Sequence, residues 1–174
     1  VDLSVSNIPT DSLAATEALL DFARDNTLAR LSVDHGFGPE PVWEPEPVSI
    51  TLSGILVSLP VGAFLQATQD AEALMVEDAR QWLKGRGKLA DLFSGLGTFT
   101  LGLRDGRKVL GVEADRAAHL VAKAAAARTG GKVFAVHRDL FRNPLQPEEL
   151  NNYAAALHAP PRAGARAQIA LTTL

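Results

Sequence analysis

The 174-residue sequence predicts an α/β fold: a doubly wound parallel sheet, preceded by a small α+β region. Two observations carry this prediction. Short apolar strands alternate with helical patterns from Leu89 onward, which is typical of βαβ units. The region before them instead combines an alternating strand, a capped helix and a loop rich in proline and glycine. Because such sheets bind ligands at the carboxyl ends of their strands, we expect a ligand site there.

The first region, residues 1–60, predicts one helix and several short strands. Apolar and polar residues alternate over 1–5, which indicates a half-buried strand, and Ser12 can cap a helix over 12–25. The segment 34–47 holds four prolines and two glycines, so we expect a loop. The other predicted elements are a strand over 27–33 and a hairpin of strands 48–52 and 55–59 that turns at Ser53-Gly54.

The second region, residues 61–174, predicts helices that alternate with strands and connect them by right-handed crossovers. Thr68 can cap its first helix, which ends near Lys84 before a glycine-containing turn. The elements expected after it are a strand 89–93, a helix from Phe99, a strand 108–113, a helix 116–128, a strand 132–136, a short helix 147–151 and a strand 153–158.

Composition narrows the function classes. The chain has 17 Lys and Arg against 20 Asp and Glu. Its formal net charge of −3 excludes the class of strongly basic proteins that coat nucleic acids. It has no cysteine, which excludes disulfides and Cys-ligated metals within it. Its four histidines show no metal-ligand spacing, so we expect no metal site. Without a long apolar run or a signal-peptide pattern, we expect a cytoplasmic protein that does not bind membranes.

The segment from Asp91 to Phe99 is the strongest candidate for a ligand site. A strand runs into Gly95 and Gly97, and a helix opens behind them, so a ligand can approach the backbone closely. Glu113 ends the next strand, where a carboxylate can accept both hydroxyls of a ribose. Asp139 follows the strand after that, within reach of an adenine amino group. Three acidic residues at successive strand ends suit an adenosine-type ligand.

The identity of the nucleotide depends on two positions. A dinucleotide fingerprint requires a third glycine where this chain has Thr100, which weakens a nicotinamide interpretation. Asp91 precedes the glycines and suits a ligand with a cationic amino-acid moiety. Together these residues favour S-adenosylmethionine.

Three segments resemble the RNA (uracil-5-)-methyltransferase family: ADLFSGLGTF at 90–99, GAFLQAT at 62–68 and PPRAGA at 160–165. The resemblance covers about residues 55–168 and implies a Rossmann-like methyltransferase sheet, with a small central domain before it. It implies S-adenosyl-L-methionine as cofactor and methyl transfer to C5 of a uridine in rRNA or tRNA. The expected partner is therefore RNA and not DNA.

The resemblance also implies roles for individual residues. Gln66, Phe93, Glu113 and Asp139 match positions that contact S-adenosylmethionine. Glu113 would bind the ribose hydroxyls, Asp139 would lie near the adenine, and Phe93 would pack beside the amino-acid end. With the backbone turn at the two glycines, the predicted cofactor-binding residues are Gln66, Asp91, Phe93, Gly95, Gly97, Glu113 and Asp139.

Two departures from the family pattern leave alternatives open. Ala159 stands where the family has an aspartate before Pro-Pro-Arg. The family's nucleophilic cysteine and its C-terminal base lie beyond that motif, so we assign no catalytic residue and expect a sheet that is incomplete at the C-terminus.

Because the chain starts at Val1 and its only methionine is Met75, we expect a processed chain or part of a longer protein. The alternatives are a non-catalytic module that binds cofactor or RNA, and a nicotinamide-dependent dehydrogenase.

A basic cluster, Lys84-Gly-Arg86-Gly-Lys88, follows the first helix of the second region. It could contact RNA phosphates. The simpler interpretation is a solvent-exposed helix end, where positive charges also interact favourably with the helix dipole.

Overall fold

The computed structural model describes residues 1–66 and 68–156. These residues form two compact units: 1–50 with 58–63, and 51–57 with the chain from Phe64 onward. The domains expected at 1–60 and 61–174 stay a prediction. Among the residues described, no helix has both the length and the apolar character that a membrane crossing needs.

The first unit contains a three-stranded sheet and one helix. Its elements are β1 (Asp2–Ser6), α1 (Leu13–Asp25), β2 (Arg30–Asp34) and β3 (Pro39–Trp43), in the sheet order β1-β2-β3. Strand β1 pairs parallel to β2, and β3 pairs antiparallel to it. The Ser12 hydroxyl caps α1 by accepting the backbone N–H of Ala15, as predicted. Ala23, Leu28 and Leu31 form the buried core of this unit.

The expectation of an uninterrupted loop over 34–47 is wrong, because strand β3 lies within it. Pro39 pairs with Asp34, and Pro41 pairs with Ser32. A proline cannot donate a backbone hydrogen bond, but an edge strand leaves half of its N–H groups without a strand partner. The two prolines are therefore compatible with β3, which lies at the edge of the sheet.

Arg30 is the most deeply buried charge of the first unit, with a side chain only 3% exposed. Its guanidinium donates two hydrogen bonds to the Asp2 carboxylate and one, at 2.7 Å, to the carbonyl of Leu59. These hydrogen bonds to the Asp2 carboxylate raise the pKa of Arg30 above its ordinary value. The side chain thus links the start of β1 to the segment that follows the hairpin.

The hairpin consists of β4 (Ser49–Leu52) and β5 (Ile55–Ser58), which pair in a two-stranded sheet. Its turn residues Ser53 and Gly54 both have positive φ, 45° and 79°, as a type I′ turn requires. This confirms the predicted hairpin. Within the second unit, Arg104 donates a 2.8 Å hydrogen bond to the carbonyl of Ser53.

The second unit has a parallel sheet in the order β6-β7-β8, and it confirms the predicted α/β fold. Thr68 caps its first helix, α2, by accepting the N–H of Ala71. The central residues of β6 and β7 are buried and, apart from Asp91, apolar, as expected for a sheet covered on both faces. Its elements are α2 (Gln69–Trp82), β6 (Lys88–Leu92), α3 (Thr98–Gly102), β7 (Lys108–Glu113), α4 (Arg116–Ala127), β8 (Val133–His137) and α5 (Pro147–Ala156).

The strand predicted over 153–158 is wrong as far as the structure describes it, because residues 153–156 are the last part of α5. Pro147 is the first residue of this helix, and Glu148 and Glu149 lie in its first turn. Proline and acidic residues both stabilise a helix N-terminus. The alanines that follow have the highest helix propensity and prolong the helix past the short one expected. Residues 157 and 158 lie outside the described residues.

Gly111, in the middle of β7, allows the loop after β6 and helix α3 to approach the sheet. A Cβ at this position would lie 2.8 Å from Oγ1 of Thr100 and 3.1 Å from Oγ of Ser94. Both distances are shorter than ordinary van der Waals contacts. The sheet therefore requires glycine here for packing and not for backbone conformation.

We expect the Gly111→Ala substitution to lower the free energy of unfolding by about 1–3 kcal/mol, because the added methyl group overpacks this junction. Urea denaturation followed by circular dichroism measures the change. Gly87→Ala is the matched control, since a Cβ at Gly87 meets nothing within 4 Å. Equal stabilities of the two variants would contradict the packing argument.

We expect Arg30→Met to destabilise the first unit by about 1.5–3 kcal/mol, because it removes a partly buried ion pair with Asp2 and the guanidinium's hydrogen bond to the Leu59 carbonyl. Asp21→Asn is the control. Arg24 pairs with Asp21 through side chains that are 61% and 64% exposed, and exposed pairs contribute about 0–1 kcal/mol. Thermal melts of both variants test the difference.

Candidate functional site

The candidate site lies at the carboxyl edge of the second unit's sheet, where β6, β7 and β8 end. Three loops leave the strands there. The first, residues 93–97, carries the two glycines; the second, 114–115, follows Glu113; the third, 138–146, carries Asp139. Parallel pairing of the strands brings these loops together, as the sequence predicts.

The glycine loop, residues 93–97, turns sharply out of β6. Phe93, Gly95 and Gly97 all have positive φ, at 61°, 54° and 99°. The Ser94 N–H donates to the carbonyl of Val112 at 3.0 Å, which fixes the loop against β7. Glycine adopts these angles without strain, whereas Phe93 adopts one that is uncommon for a residue with a Cβ. The predicted backbone turn is present at Gly95 and Gly97.

Glu113 connects two of the three loops through its carboxylate. Oε2 accepts the backbone N–H of Gly95 at 2.7 Å. Oε1 accepts the N–H groups of Ala114 at 2.8 Å and Asp115 at 2.7 Å. These bonds hold the carboxylate at the end of β7, facing the glycine loop.

Asp91 lies below the glycine loop rather than at its surface. Its residue is 4% exposed, and its carboxylate accepts the hydroxyl hydrogen of Thr100. Because Thr100 belongs to α3, this hydrogen bond joins the end of β6 to the helix that follows the loop. The predicted direct contact between Asp91 and a ligand stays a prediction.

Asp139 caps the start of the third loop, while Phe93 and Phe141 lie at the surface of the edge. The Asp139 carboxylate accepts the N–H groups of Phe141 at 2.9 Å and Arg142 at 3.0 Å. The ring of Phe141 lies 5.1 Å from that of Phe93, in a tilted arrangement. Phe93 is 43% exposed and Phe141 is 87% exposed. The two rings therefore offer an apolar surface to a ligand.

Arg138 holds the third loop in place. Its guanidinium donates to both carboxylate oxygens of Glu149, at 2.7 and 2.9 Å, and to the carbonyls of Asn143 and Pro144. Its own backbone N–H donates to the carbonyl of Glu113 at 2.8 Å. One arginine thus ties the loop of Asp139 and Phe141 to α5 and to the end of β7.

Gln66, the remaining predicted cofactor contact, lies half-buried in the segment before α2. Among the residues described, no hydrogen bond joins it to the other candidates. Its neighbour Ala67 is outside the described residues, as are Ala159 and the Pro-Pro-Arg segment, so those predictions cannot be placed.

Reasoning from sequence missed three residues that shape the site: Gly111 in the middle of β7, and Arg138 and Phe141 at the carboxyl edge. A glycine inside a strand pattern is a known signal of close backbone approach, and Gly111 shows it. The roles of Arg138 and Phe141 depend on partners distant in sequence or on loop conformation, which no local pattern displays.

Comparison with known proteins gives a consistent result. No protein-family model matches the chain. A Zymomonas mobilis protein named as an uncharacterized RNA methyltransferase is 48% identical over 160 residues, which are 92% of this chain and 40% of that protein. The 23S rRNA (uracil(1939)-C(5))-methyltransferase of Aeromonas hydrophila is 37% identical over 94 residues, 52% of this chain and 21% of that enzyme.

Solved structures share the fold at low sequence identity. TYW2 from P. horikoshii in complex with MeSAdo has a TM-score of 0.53 and 14% identity, and the match covers 82% of this chain and 54% of that one. TYW2 from M. jannaschii in complex with AdoMet has a TM-score of 0.50 and 17% identity, covering 68% and 54%. These likenesses establish the Rossmann-like fold.

The chain is homologous to part of the bacterial RNA methyltransferases, and the resemblance predicted from its motifs is confirmed. It spans about two fifths of the length of the Zymomonas mobilis relative. The homology therefore concerns a segment of those proteins.

The Arg138–Glu149 pair predicts how the stability of the third loop depends on pH. Arg138 lowers the pKa of Glu149 from 4.5 to about 2. The folded state therefore gains stability from this carboxylate above pH 4.5 and loses it as the pH falls toward 2. We expect Glu149→Gln to melt at a lower temperature than the wild type at pH 7, with a difference that shrinks steadily below pH 4.5.

Glu148→Gln is the control for this pH dependence, because Glu148 is exposed and forms no ion pair with the residues described. Differential scanning calorimetry from pH 7 down to pH 2 measures both variants. A Glu149→Gln difference that stays constant over this range would show that the ion pair does not stabilise the fold.

Proposed function

We propose that the carboxyl edge of the second unit binds S-adenosylmethionine, and that the protein carrying this chain transfers its methyl group to C5 of a uridine in RNA. The observation that carries the cofactor assignment is the position of Glu113. Its carboxylate ends β7 and lies at 2.7 Å from the Gly95 N–H of the glycine loop. A ribose bound against that loop meets this carboxylate.

The residues at the edge fit an adenosyl ligand. A Cβ at Gly95 would meet nothing within 4 Å, so the loop has open space where a ligand could approach its backbone. A carboxylate has about four acceptor sites, and the Glu113 carboxylate uses three of them for backbone N–H groups. It can accept a ribose hydroxyl at the fourth, and a second hydroxyl by exchange with the Gly95 N–H.

The aromatic pair and Asp139 complete the proposed cofactor site. Phe93 and Phe141 supply an apolar surface beside the loop, with Phe93 next to the amino-acid end of the ligand. Asp139 lies at the start of the third loop, where we place the adenine. Asp91 acts through Thr100, whose hydroxyl it accepts, and so fixes the start of α3 below the loop. Gln66 remains the proposed contact from the segment before α2.

The relatives support methyl transfer to RNA. The Zymomonas mobilis protein is named an RNA methyltransferase, and the Aeromonas hydrophila enzyme is named for C5 of a uracil in 23S rRNA. The latter match covers about half of this chain, and we extend its specificity to this protein as part of the proposal. The domain boundary near residue 60 and a cytoplasmic location belong to the same proposal.

When bound, S-adenosylmethionine would supply a methyl group on a positively charged sulfur; an electron-rich carbon that attacks this methyl group displaces the sulfur, which leaves as a neutral thioether. The described residues bind and orient such a cofactor. We assign no residue of this chain the nucleophilic attack on uracil C6.

A non-catalytic module that binds cofactor or RNA is the second candidate function. The observation that favours it is Ala159, which stands where the resembling family has an aspartate beside the cofactor. A nicotinamide enzyme is disfavoured, because the third position of that fingerprint is Thr100. Its side chain is buried and bonded to Asp91, where a dinucleotide site has glycine.

We expect the full chain to bind S-adenosylmethionine but not NADH in isothermal titration calorimetry. Glu113→Gln should weaken binding roughly 10- to 100-fold, because it removes hydrogen bonds to a charged acceptor worth about 1.5–3 kcal/mol. Glu148→Gln is the control, with a carboxyl group changed outside the edge. Unchanged affinity in Glu113→Gln, with a well-folded protein, would refute the cofactor site.

Transfer of radiolabelled methyl groups from S-adenosylmethionine to transcripts of rRNA and tRNA separates the two candidate functions. Digestion to nucleosides and mass spectrometry then identify the product. We expect 5-methyluridine. Saturable cofactor binding without transfer to either RNA would favour the non-catalytic module instead.

A further inference from the structure

The amino edge of the second unit's sheet, opposite the candidate site, carries three loops with a common composition. Each joins the end of a helix to the start of a strand, after α2, α3 and α4. Each begins and ends with a basic residue and has glycine between. Their sequences are KGRGK at 84–88, RDGRK at 104–108 and RTGGK at 128–132.

The strand register brings these loops side by side. Lys88 pairs with Lys108 at the start of β6 and β7. The N–H of Val109 donates to the carbonyl of Lys132 at 2.9 Å, so the third loop adjoins the second. Residues far apart in sequence therefore form one surface, which we call the basic edge and define as the three loops.

The basic edge concentrates the positive charge of the chain. It holds eight of the 17 Lys and Arg but only one of the 20 Asp and Glu, namely Asp105. It thus has a formal charge of +7 in a chain whose net charge is −3. Asp105 is itself paired with Arg80 at 3.2 Å. Like charges brought this close repel one another, which favours a function that uses them.

Internal contacts among the residues described account for part of this charge and leave three of the eight basic side chains exposed without a partner. Arg104, Arg107 and Arg128 donate to the backbone carbonyls of Ser53, Arg80 and Leu56. The side chains of Lys84, Arg86 and Lys132 are exposed, and these side chains form no hydrogen bond or ion pair with the residues described. One cation at each helix end would satisfy the helix dipole. The dipole does not require the basic residues that follow.

An exposed tryptophan adjoins the first loop. Trp82 ends α2, two residues before Lys84, and is 90% exposed. Aromatic rings on which bases stack, interleaved with cations that contact phosphates, are typical of surfaces that bind nucleic acids. The local charge of +7, its placement along one edge and the exposed tryptophan therefore point to the same class of partner.

We propose that the basic edge binds the phosphate backbone of RNA, as a second contact separate from the cofactor site. The strands between the two edges are five to six residues long, so the basic edge lies roughly 15 Å from the carboxyl edge at about 3.3 Å per residue. The basic edge increases the affinity for RNA and takes no part in a chemical step. This proposal shares only its RNA partner with the proposed function, and it stands whether or not that RNA is methylated.

The test measures how RNA affinity depends on salt. A fluorescently labelled RNA hairpin of mixed sequence is titrated with the full chain at several salt concentrations from about 50 to about 200 mM. Each lost phosphate contact reduces the slope of log K against log salt by about 0.7–0.9. We expect the triple variant Lys84→Gln/Arg86→Gln/Lys132→Gln to lose about 2–3 from that slope and to bind more weakly at every sequence tested.

Lys132→Gln and Lys123→Gln form a matched pair of single variants. Both lysines are exposed, but Lys123 lies on α4 outside the basic edge. We expect a reduced slope for Lys132→Gln and the wild-type slope for Lys123→Gln. Equal slopes for these two variants, or a wild-type slope in the triple variant, would overturn the proposal. Retained binding to vesicles rich in anionic lipid, with no RNA binding, would also overturn it in favour of a membrane surface.

Titration of the same variants with S-adenosylmethionine keeps the two proposals separate. Because the basic edge does not include the cofactor residues, we expect wild-type cofactor affinity in all of them. Unchanged melting curves exclude misfolding as a cause of weaker RNA binding. Failure of cofactor binding in the wild type would refute the proposed function and leave the salt dependence as an independent result.

Discussion

The close approach of the glycine loop and α3 to the middle of β7 is the constraint on which the candidate site depends. Gly111 leaves room for the side chains of Thr100 and Ser94, which would lie within about 3 Å of any Cβ there. Thr100 then reaches the buried Asp91, and the Ser94 N–H reaches the carbonyl of Val112. Only with the loop held this close can the Gly95 N–H reach the Glu113 carboxylate.

The third loop depends on a second, electrostatic constraint. Arg138 is mostly buried and donates to Glu149 and to two carbonyls of its own loop, while its backbone N–H bonds to the end of β7. Asp139 and Phe141 follow it directly. One packing contact and one ion pair thus position all three loops of the carboxyl edge. The proposed cofactor site therefore combines a hydrogen-bonded backbone turn with a surface aromatic pair.

The two edges of this sheet have opposite electrostatic character. Glu113 and Asp139 lie at the carboxyl edge, where their carboxylates bond to backbone N–H groups. The basic edge collects eight of the chain's basic residues. A parallel sheet produces such a separation readily, because every strand contributes its start to one edge and its end to the other. A ligand with hydroxyls and a polyanion can then bind the same unit without competing for the same residues.

The sequence by itself determined most of the element order, the glycine turn and the strand-end position of Glu113, because these follow from local periodicity, capping and glycine spacing. It did not reveal β3, since the prolines of 34–47 predict a loop although an edge strand accepts them, and it predicts a strand where alanines prolong α5. Only the tertiary structure decided that Asp91 is buried against Thr100, that Phe141 lies beside Phe93, and that three basic loops adjoin. Each of these contacts depends on strand register or loop packing. Both bring together residues at sequence separations that no periodic pattern in the sequence reveals.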